Sequence, residues 1–544
     1  MAIETHEPCS PAEAPASVRT LGPLQQVTLR FVVFALLFYG LSALEGMMMR
    51  AEQANVSLME AEHFFAILNA HPIVGIFGYS FMLVMGAFYF LVPALLNKDL
   101  YSIRLAEANW KLMTAGVGLV WLSSFLFGYA ALYTNYWPLP VVASTPAGLL
   151  SYAAGMILIM AAILIFCFNL FATVFSQRTG DRPLSALIIS SLGLDGFANM
   201  MRRFRGMPPR EKEPHVPLPI VAIFRGTIDT VLDAVVLGGI SIILLVYGLF
   251  KFRGTTLPTQ WFDALLYKNI YWWGLDLIAD GLVLIYVAGS WYLLAMILTG
   301  RQIYGQHVAR AALFVELVVS WFVWSHHLLS DQTQPTWMRV FSGEVVTAFE
   351  LVTSGIAVFC TLATLWQARP LTMTMPLKFL LGGIAGFGLG VPAGIIQADL
   401  GMNRILHNTQ WVIGAHAHMQ ILVGLSCTLF AALYGIFPMV TGKELRSALL
   451  SNVHFWCQMI GGIGMGAAMG FAGLDGMLRR TLYSGEGTFL PHMYVAAFFG
   501  MLILIGYLSL MYNIITTIGG RSLISLFVNL PRPDGPFRKK MAPA

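Results

Sequence analysis

About twelve apolar runs, each near the ~20 residues a helix needs to cross a bilayer, divide this chain and leave it few ways to fold. They centre near Leu37, Ser80, Phe125, Met160, Ile242, Tyr286, Val319, Thr353, Gly386, Cys427, Gly464 and Leu504. Backbone groups in hydrocarbon must be bonded within their own segment, so such runs become helices. The sequence predicts an all-α polytopic membrane protein, a bundle of about twelve transmembrane helices. Of 544 residues, 57% are hydrophobic and only 11% charged, where soluble domains carry about 25% charged residues. A net charge of +5 on such a chain belongs to its loops. It gives no reason to expect nucleic acid; the medium is membrane lipid.

The loops sort by charge. Lys98, Arg104 and Lys111 follow the second run, and Arg178, Arg182, Arg202, Arg203 and Arg205 the fourth. Arg301 and Arg310 follow the sixth, Lys443 and Arg446 the tenth, and Arg521, Arg532, Arg538, Lys539 and Lys540 the twelfth. Loops after odd runs are poorer or mixed, and the one with Lys251, Arg253 and Lys268 fits least well. By the positive-inside rule both termini are expected in the cytoplasm. Residues 1–24, without an early apolar core, read as a flexible cytoplasmic arm rather than a signal peptide. Residues 25–520 read as one transmembrane domain and 521–544 as a cytoplasmic tail. Cys9, Cys167, Cys360, Cys427 and Cys457 form no CxxC or CxxCH, so neither disulfides nor covalently attached haem are expected.

Ionisable residues inside membrane spans are rare and are functional candidates by default. On this topology His71, Asp276, Asp280, His326, His327, His416 and His418 all fall in the outer part of the membrane, from four different spans. His416 and His418 are i and i+2, about 200° apart on an α-helix. They point to opposite sides and cannot chelate one ion, but each can hold a separate cofactor. Asp276 and Asp280, at i and i+4, share a helix face and can look at one metal. Neutral imidazole suits iron and copper alike. The remaining histidines, His6, His63, His215, His307, His454 and His492, read as structural.

Five stretches in family order carry a resemblance: 69–93, NAHPIVGIFGYSFMLVMGAFYFLVP; 271–281, YWWGLDLIADG; 324–329, WSHHLL; 407–420, HNTQWVIGAHAHMQ; and 473–480, GLDGMLRR. The chain resembles subunit I of the haem–copper oxidase superfamily, which includes oxygen reductases and nitric oxide reductases. The resemblance implies that His71 and His418 are axial ligands of a six-coordinate low-spin haem, expected to be haem b. His416 would be the proximal ligand of a five-coordinate high-spin haem, also b-type. His326 and His327 would hold the non-haem metal facing it. Arg479 and Arg480 resemble the pair that holds haem propionates, with His407 and Asn408 a nearby polar pair. A bacterial or archaeal cytoplasmic membrane is implied, with the active site toward the outer face.

Two positions depart from the family pattern. The sequence has GAHAH where the family usually has GHxH. In the sixth span Asp276 stands at the position of the family's metal-ligating histidine. Asp280 stands where many oxygen reductases have a cross-linked tyrosine and the familiar nitric oxide reductases a glutamate. A carboxylate cannot supply an electron as that tyrosine does, but it can ligate a metal and relay protons. That suffices for 2 NO + 2 electrons + 2 protons giving N2O and water. The expected function is a nitric oxide reductase of an atypical branch, acting through catalytic Asp276, Asp280, His326 and His327. Oxygen reduction to water is the alternative, kept open by tyrosines such as Tyr286. A proton-coupled transporter is a third reading, which leaves the histidine set unexplained. Two carboxylates and two imidazoles tilt the metal toward iron over copper without deciding it. With no haem c motif and no cupredoxin ligand cluster, electrons are expected from a second subunit bearing an outward-facing cytochrome c or cupredoxin domain.

Overall fold

The computed structural model describes residues 21–176, 184–208, 210, 216–330, 333–482 and 487–528. Among these, helices stand at every expected position: α1 (Pro23–Gln53), α2 (Ala61–Leu96), α3 (Ile103–Phe125), α4 (Pro146–Ser176), α5 (Leu218–Phe252) and α6 (Ala264–Thr299). They continue with α7 (Gln306–Ser320), α8 (Thr336–Gln367), α9 (Met375–Ala398), α10 (Val412–Thr441), α11 (Ala448–Leu474) and α12 (Leu490–Ile518). No β-strand occurs among the described residues; one isolated bridge joins Thr409 to Leu478. His6, Cys9, Arg178, Arg182, His215, Arg532, Arg538, Lys539 and Lys540 lie outside the described residues.

Ten of these helices are long and apolar enough to cross a membrane, not twelve. The exceptions correct the sequence reading at two places. α3 ends at Phe125, where a span was expected to centre; its start is set earlier, by Ser102, which caps it by accepting from the Leu105 amide at 3.2 Å. Arg104 and Lys111 are therefore helical rather than loop charges, as is Glu107, which pairs with Arg30 of α1. α7 has 15 residues and stops at Ser320. His326 and His327 sit beyond it on a separate 3-10 turn, His326–Leu328, rather than ending the helix. Arg310 is inside α7, fully buried, and bonds Asp195 at 3.2 Å.

Four helices are locally widened into π turns with i→i+5 bonding: Val74–Phe81 in α2, Ala279–Ile285 in α6, Phe341–Val345 in α8 and Val412–Leu425 in α10. Such turns recur at functional sites. His416 and His418 thus stand on a π stretch rather than an α-helix, and the wider turn still places them on opposite faces.

In α2, α6 and α10, 78% of the apolar stretch is buried, against 28% in α8 and 33% in α12. The bundle therefore keeps its motif-bearing helices inside and turns α8 and α12 toward lipid. Lipid is as apolar as leucine, so close backbone packing at small residues holds membrane helices together. α10 packs between α9 and α11 in this way. A Cβ at Gly414 would lie 2.5 Å from the Gly466 carbonyl oxygen, and one at Gly473 would lie 1.9 Å from the Trp411 nitrogen. Both positions require glycine.

Candidate haem and metal sites on the two faces of α10

On one face of α10, His418 meets His71 of α2; the two rings and Arg50 of α1 lie within electrostatic range of one another. Each imidazole is fixed through one nitrogen. Nδ1 of His71 bonds the Ser42 carbonyl at 3.0 Å, and Nδ1 of His418 bonds the Ile413 carbonyl at 2.7 Å. A carbonyl on Nδ1 holds the proton there and leaves Nε2 as the basic nitrogen, the usual outer-sphere arrangement of a ligating histidine. Gly46 on α1 faces the same ring: a Cβ there would lie 3.3 Å from Cε1 of His71.

On the other face His416 follows the same rule, with Nδ1 on the Gly390 carbonyl at 3.1 Å. Gly394, one turn along α9, leaves room for its ring; a Cβ there would lie 2.8 Å from Cε1. Three histidines anchored by carbonyls, two of them with glycines against the ring, fit haem ligation.

His416 opens into a cavity of about 210 Å³ whose wall includes Asp276, Asp280, His326, His327, Glu350 and His407. His326 bonds the Ser342 carbonyl through Nδ1 at 2.7 Å. His327 contacts Asp276 Oδ1 through Nδ1, and the Trp272 ring stacks on it at 5.2 Å. Asp276 Oδ2 and Asp280 Oδ2 are buried without a partner. These are the donor types a divalent metal takes, and unpartnered buried carboxylate oxygens are costly unless something compensates them. Among the described residues, however, no three His, Cys, Asp or Glu groups form a set that could hold a metal ion. The four residues share a cavity wall; they do not form a closed coordination shell.

Outside the helices, the loop after α11 is strapped to the start of α10. The Gln410 amide bonds the Met477 carbonyl at 2.7 Å, and the Arg479 amide bonds the Asn408 carbonyl at 3.0 Å. The Arg479 side chain reaches Asn408 Oδ1 at 3.2 Å. Burial and the adjacent Arg480 push the Arg479 guanidinium down from its ordinary value. Arg480 has φ 62, a left-handed conformation uncommon for a residue with a side chain, and its Nη2 donates to the Tyr133 hydroxyl at 3.0 Å. Two guanidiniums forced together beside the helix start suit paired carboxylates. His407 bonds Gln397 Oε1 through Nδ1 at 3.2 Å, on the same cavity wall.

Several residues outside the motifs belong to this region. Glu350 of α8 lines the cavity, and Glu316 of α7 lies one small cavity away. Each is a carboxylate in an apolar run, the signal that marks membrane candidates. Tyr286 does not reach the cavity; its hydroxyl bonds Thr227 at 3.1 Å and Thr230 at 3.4 Å on α5. His454, read from the sequence as structural, bonds the Tyr434 hydroxyl through Nδ1 at 3.2 Å.

Residues 26–507 match the family model described as Cytochrome C and Quinol oxidase polypeptide I. Cytochrome c oxidase polypeptide 1 of Halobacterium salinarum is 25% identical over 473 residues, spanning 84% of this chain and 72% of that protein. Cytochrome c oxidase subunit 1 of Thermostichus vulcanus is 25% identical over 461 residues, 84% of this chain and 76% of the relative. Quinol oxidase subunit 1 of Bacillus subtilis is 22% identical over 498 residues, 90% and 71%. The solved structure of a heme-copper terminal oxidase dimer superposes with a TM-score of 0.71 at 18% identity, covering 94% of this chain and 85% of the other.

Proposed function

The chain belongs to the haem–copper oxidase subunit I family, and from that premise we propose that it is the catalytic subunit of a membrane nitric oxide reductase. The supporting observation is the cavity wall. Asp276, Asp280 and Glu350 line it with His326, His327 and His416, and no tyrosine is among the lining residues.

His71 and His418 would hold a low-spin haem, His416 a high-spin haem, and His326, His327, Asp276 and Asp280 the non-haem metal, iron or copper. When bound, these groups supply electrons and the position at which a diatomic gas is reduced. Arg479 and Arg480, with His407 near, would hold haem propionates by charge-assisted bonds. Asp276 fixes His327 through Nδ1. Asp280 Oδ2, buried and unpartnered, is placed to hold a proton and hand it to a substrate oxygen. Trp272 stacks on the His327 ring and fixes its plane. Electrons would come from a partner subunit with an outward-facing cytochrome c or cupredoxin domain, in a bacterial or archaeal cytoplasmic membrane.

The second reading is reduction of O2 to water, and the comparisons favour it. The relatives are named cytochrome c or quinol oxidase subunits. One experiment separates the two. Supplied with reductant and a mediator, the purified enzyme should consume NO and release N2O faster than it takes up O2. Rapid O2 uptake without N2O would assign the chain to the second reading. A protein without haem in its reduced-minus-oxidised spectrum would remove both.

A further inference from the structure

The basic stretch after α4 contains two short helices, Leu184–Ser191 and Leu194–Phe204, bent 77° from one another. So sharp a bend keeps the pair from running straight through a bilayer. The second helix packs on α7. A Cβ at Gly196 would lie 2.8 Å from the His307 carbonyl oxygen, and Phe197 meets Phe314 edge-on at 5.7 Å. Met201 and Phe204 of the same helix are exposed, and so are Arg203 and Arg205. Apolar and basic side chains bared together are what a helix lying in a lipid headgroup layer presents. The positive-inside rule assigns this end of the bundle to the cytoplasm.

Arg203 and Phe204 of that helix, with Gly305, Gln306, His307 and Val308 at the start of α7, line a cavity of about 460 Å³. No carboxylate lines it among the described residues. α7 begins after Gly305, at φ 69, which has no side chain to cap the helix, and no acid stands in the first turn. The first amides of a helix have no partner within it and draw anions. His307 is an independent sign of a ligand. It is only 7% exposed, and its Nδ1 has no hydrogen-bond partner. A buried polar atom left unpaired is costly unless something compensates it. Arg203 lies within electrostatic range of the same ring. Cation, unpaired imidazole and helix start thus meet in one wall, and the exposed Phe204 and Val308 give it an apolar edge.

We propose that this cavity seats the headgroup of an anionic phospholipid of the cytoplasmic leaflet. The phosphate accepts from the Arg203 guanidinium, the His307 ring and the first amides of α7, and the acyl chains leave over Phe204 and Val308. A free phosphate would satisfy the same donors but leave the apolar edge in water. A zwitterionic lipid would bring its own ammonium up to Arg203. The site is independent of which gas the enzyme reduces.

The test uses the purified holoenzyme in detergent, equilibrated with equal amounts of phosphatidylglycerol and phosphatidylcholine, and counts retained phospholipid by native mass spectrometry. Phosphatidylglycerol should be retained in preference. Arg203→Gln should lower its retention by about 5-fold, the worth of one basic residue at an anionic surface, and Phe204→Ser should lower it as well. Arg205→Gln removes an exposed charge outside the cavity wall and should change retention far less. Haem spectra should match the wild type in all three variants, which separates loss of lipid from loss of fold. Equal losses in Arg203→Gln and Arg205→Gln would mean diffuse attraction to charge and would overturn the site. So would equal retention of the two lipids, or displacement of phosphatidylglycerol by inorganic phosphate at the same concentration, the mark of a site for free anions.

Discussion

The two faces of α10 use the same device for opposite ends. On the His418 side, both histidines are fixed to backbone carbonyls, and Arg50 is the cation in range. On the His416 side, the carbonyl-anchored His416 faces three more histidines and three carboxylates, two of which have unpartnered oxygens. A rigid apolar pocket changes little when an electron passes, because nothing in it must reorient. A pocket of unpaired acids is expensive to bury and is justified only where protons or a metal are handled. On the proposed function, the difference would separate electron entry from bond chemistry across one helix.

That contrast can be broken most completely at the ligands. His71→Ala or His418→Ala should abolish the six-coordinate spectrum and all turnover while the chain still inserts. A normal bis-histidine spectrum in either variant would remove the ligand assignment. The acid side should respond differently. Asp276→Asn should keep both haems and lose metal, with affinity falling by about 10–100-fold as for other groups that orient or bind a metal's ligands. Asp280→Asn should retain more metal but slow single-turnover NO reduction, since an amide relays no proton. Metal analysis beside single-turnover kinetics reads both, and full occupancy and rate in Asp276→Asn would show that this aspartate has no part in the site.

Finer probes compare the room left on each face. Gly394→Ala puts a Cβ 2.8 Å from the His416 ring, whereas Gly46→Ala comes only to 3.3 Å from His71. Overpacking of the first kind costs about 1–3 kcal/mol. High-spin haem bands should shift in Gly394→Ala, with the low-spin bands of Gly46→Ala changing far less; equal shifts would mean the two pockets are equally forgiving. The smallest effect is expected at the surface. His492 and Asp475 pair at 2.7 Å but are partly exposed, so Asp475→Asn should change thermal stability by about 0–1 kcal/mol and leave both spectra unaltered.

Much of the site was legible because an imidazole in an apolar run announces itself. His71, His416 and His418 stood out by spacing and depth, and the structure sets His416 and His418 on opposite faces of α10, with His71 against His418. Asp276 and Asp280 were readable as a shared face, and both do line the cavity. Their contact partners were not, because the Asp276–His327 contact joins elements about 50 residues apart in sequence. The extent of the helices was blurred for a related reason. Hydropathy does not see the Ser102 cap or the end of α7, so two spans were centred too far along the chain. Arg310 read as a flanking charge because only folding supplies Asp195 and the Val216 carbonyl to bury it. The π turns left no mark in the hydropathy pattern, since a change of pitch needs no change of polarity.

The shortness of α7 has a consequence for depth. Fifteen residues rise only about 22 Å at ~1.5 Å each, less than the ~30 Å of hydrocarbon, and His326 and His327 lie just beyond that end. Non-helical backbone at membrane depth is tolerated only where protein covers it or it lines a cavity. The 3-10 turn that carries the two histidines meets that condition, because both line the cavity into which His416 opens.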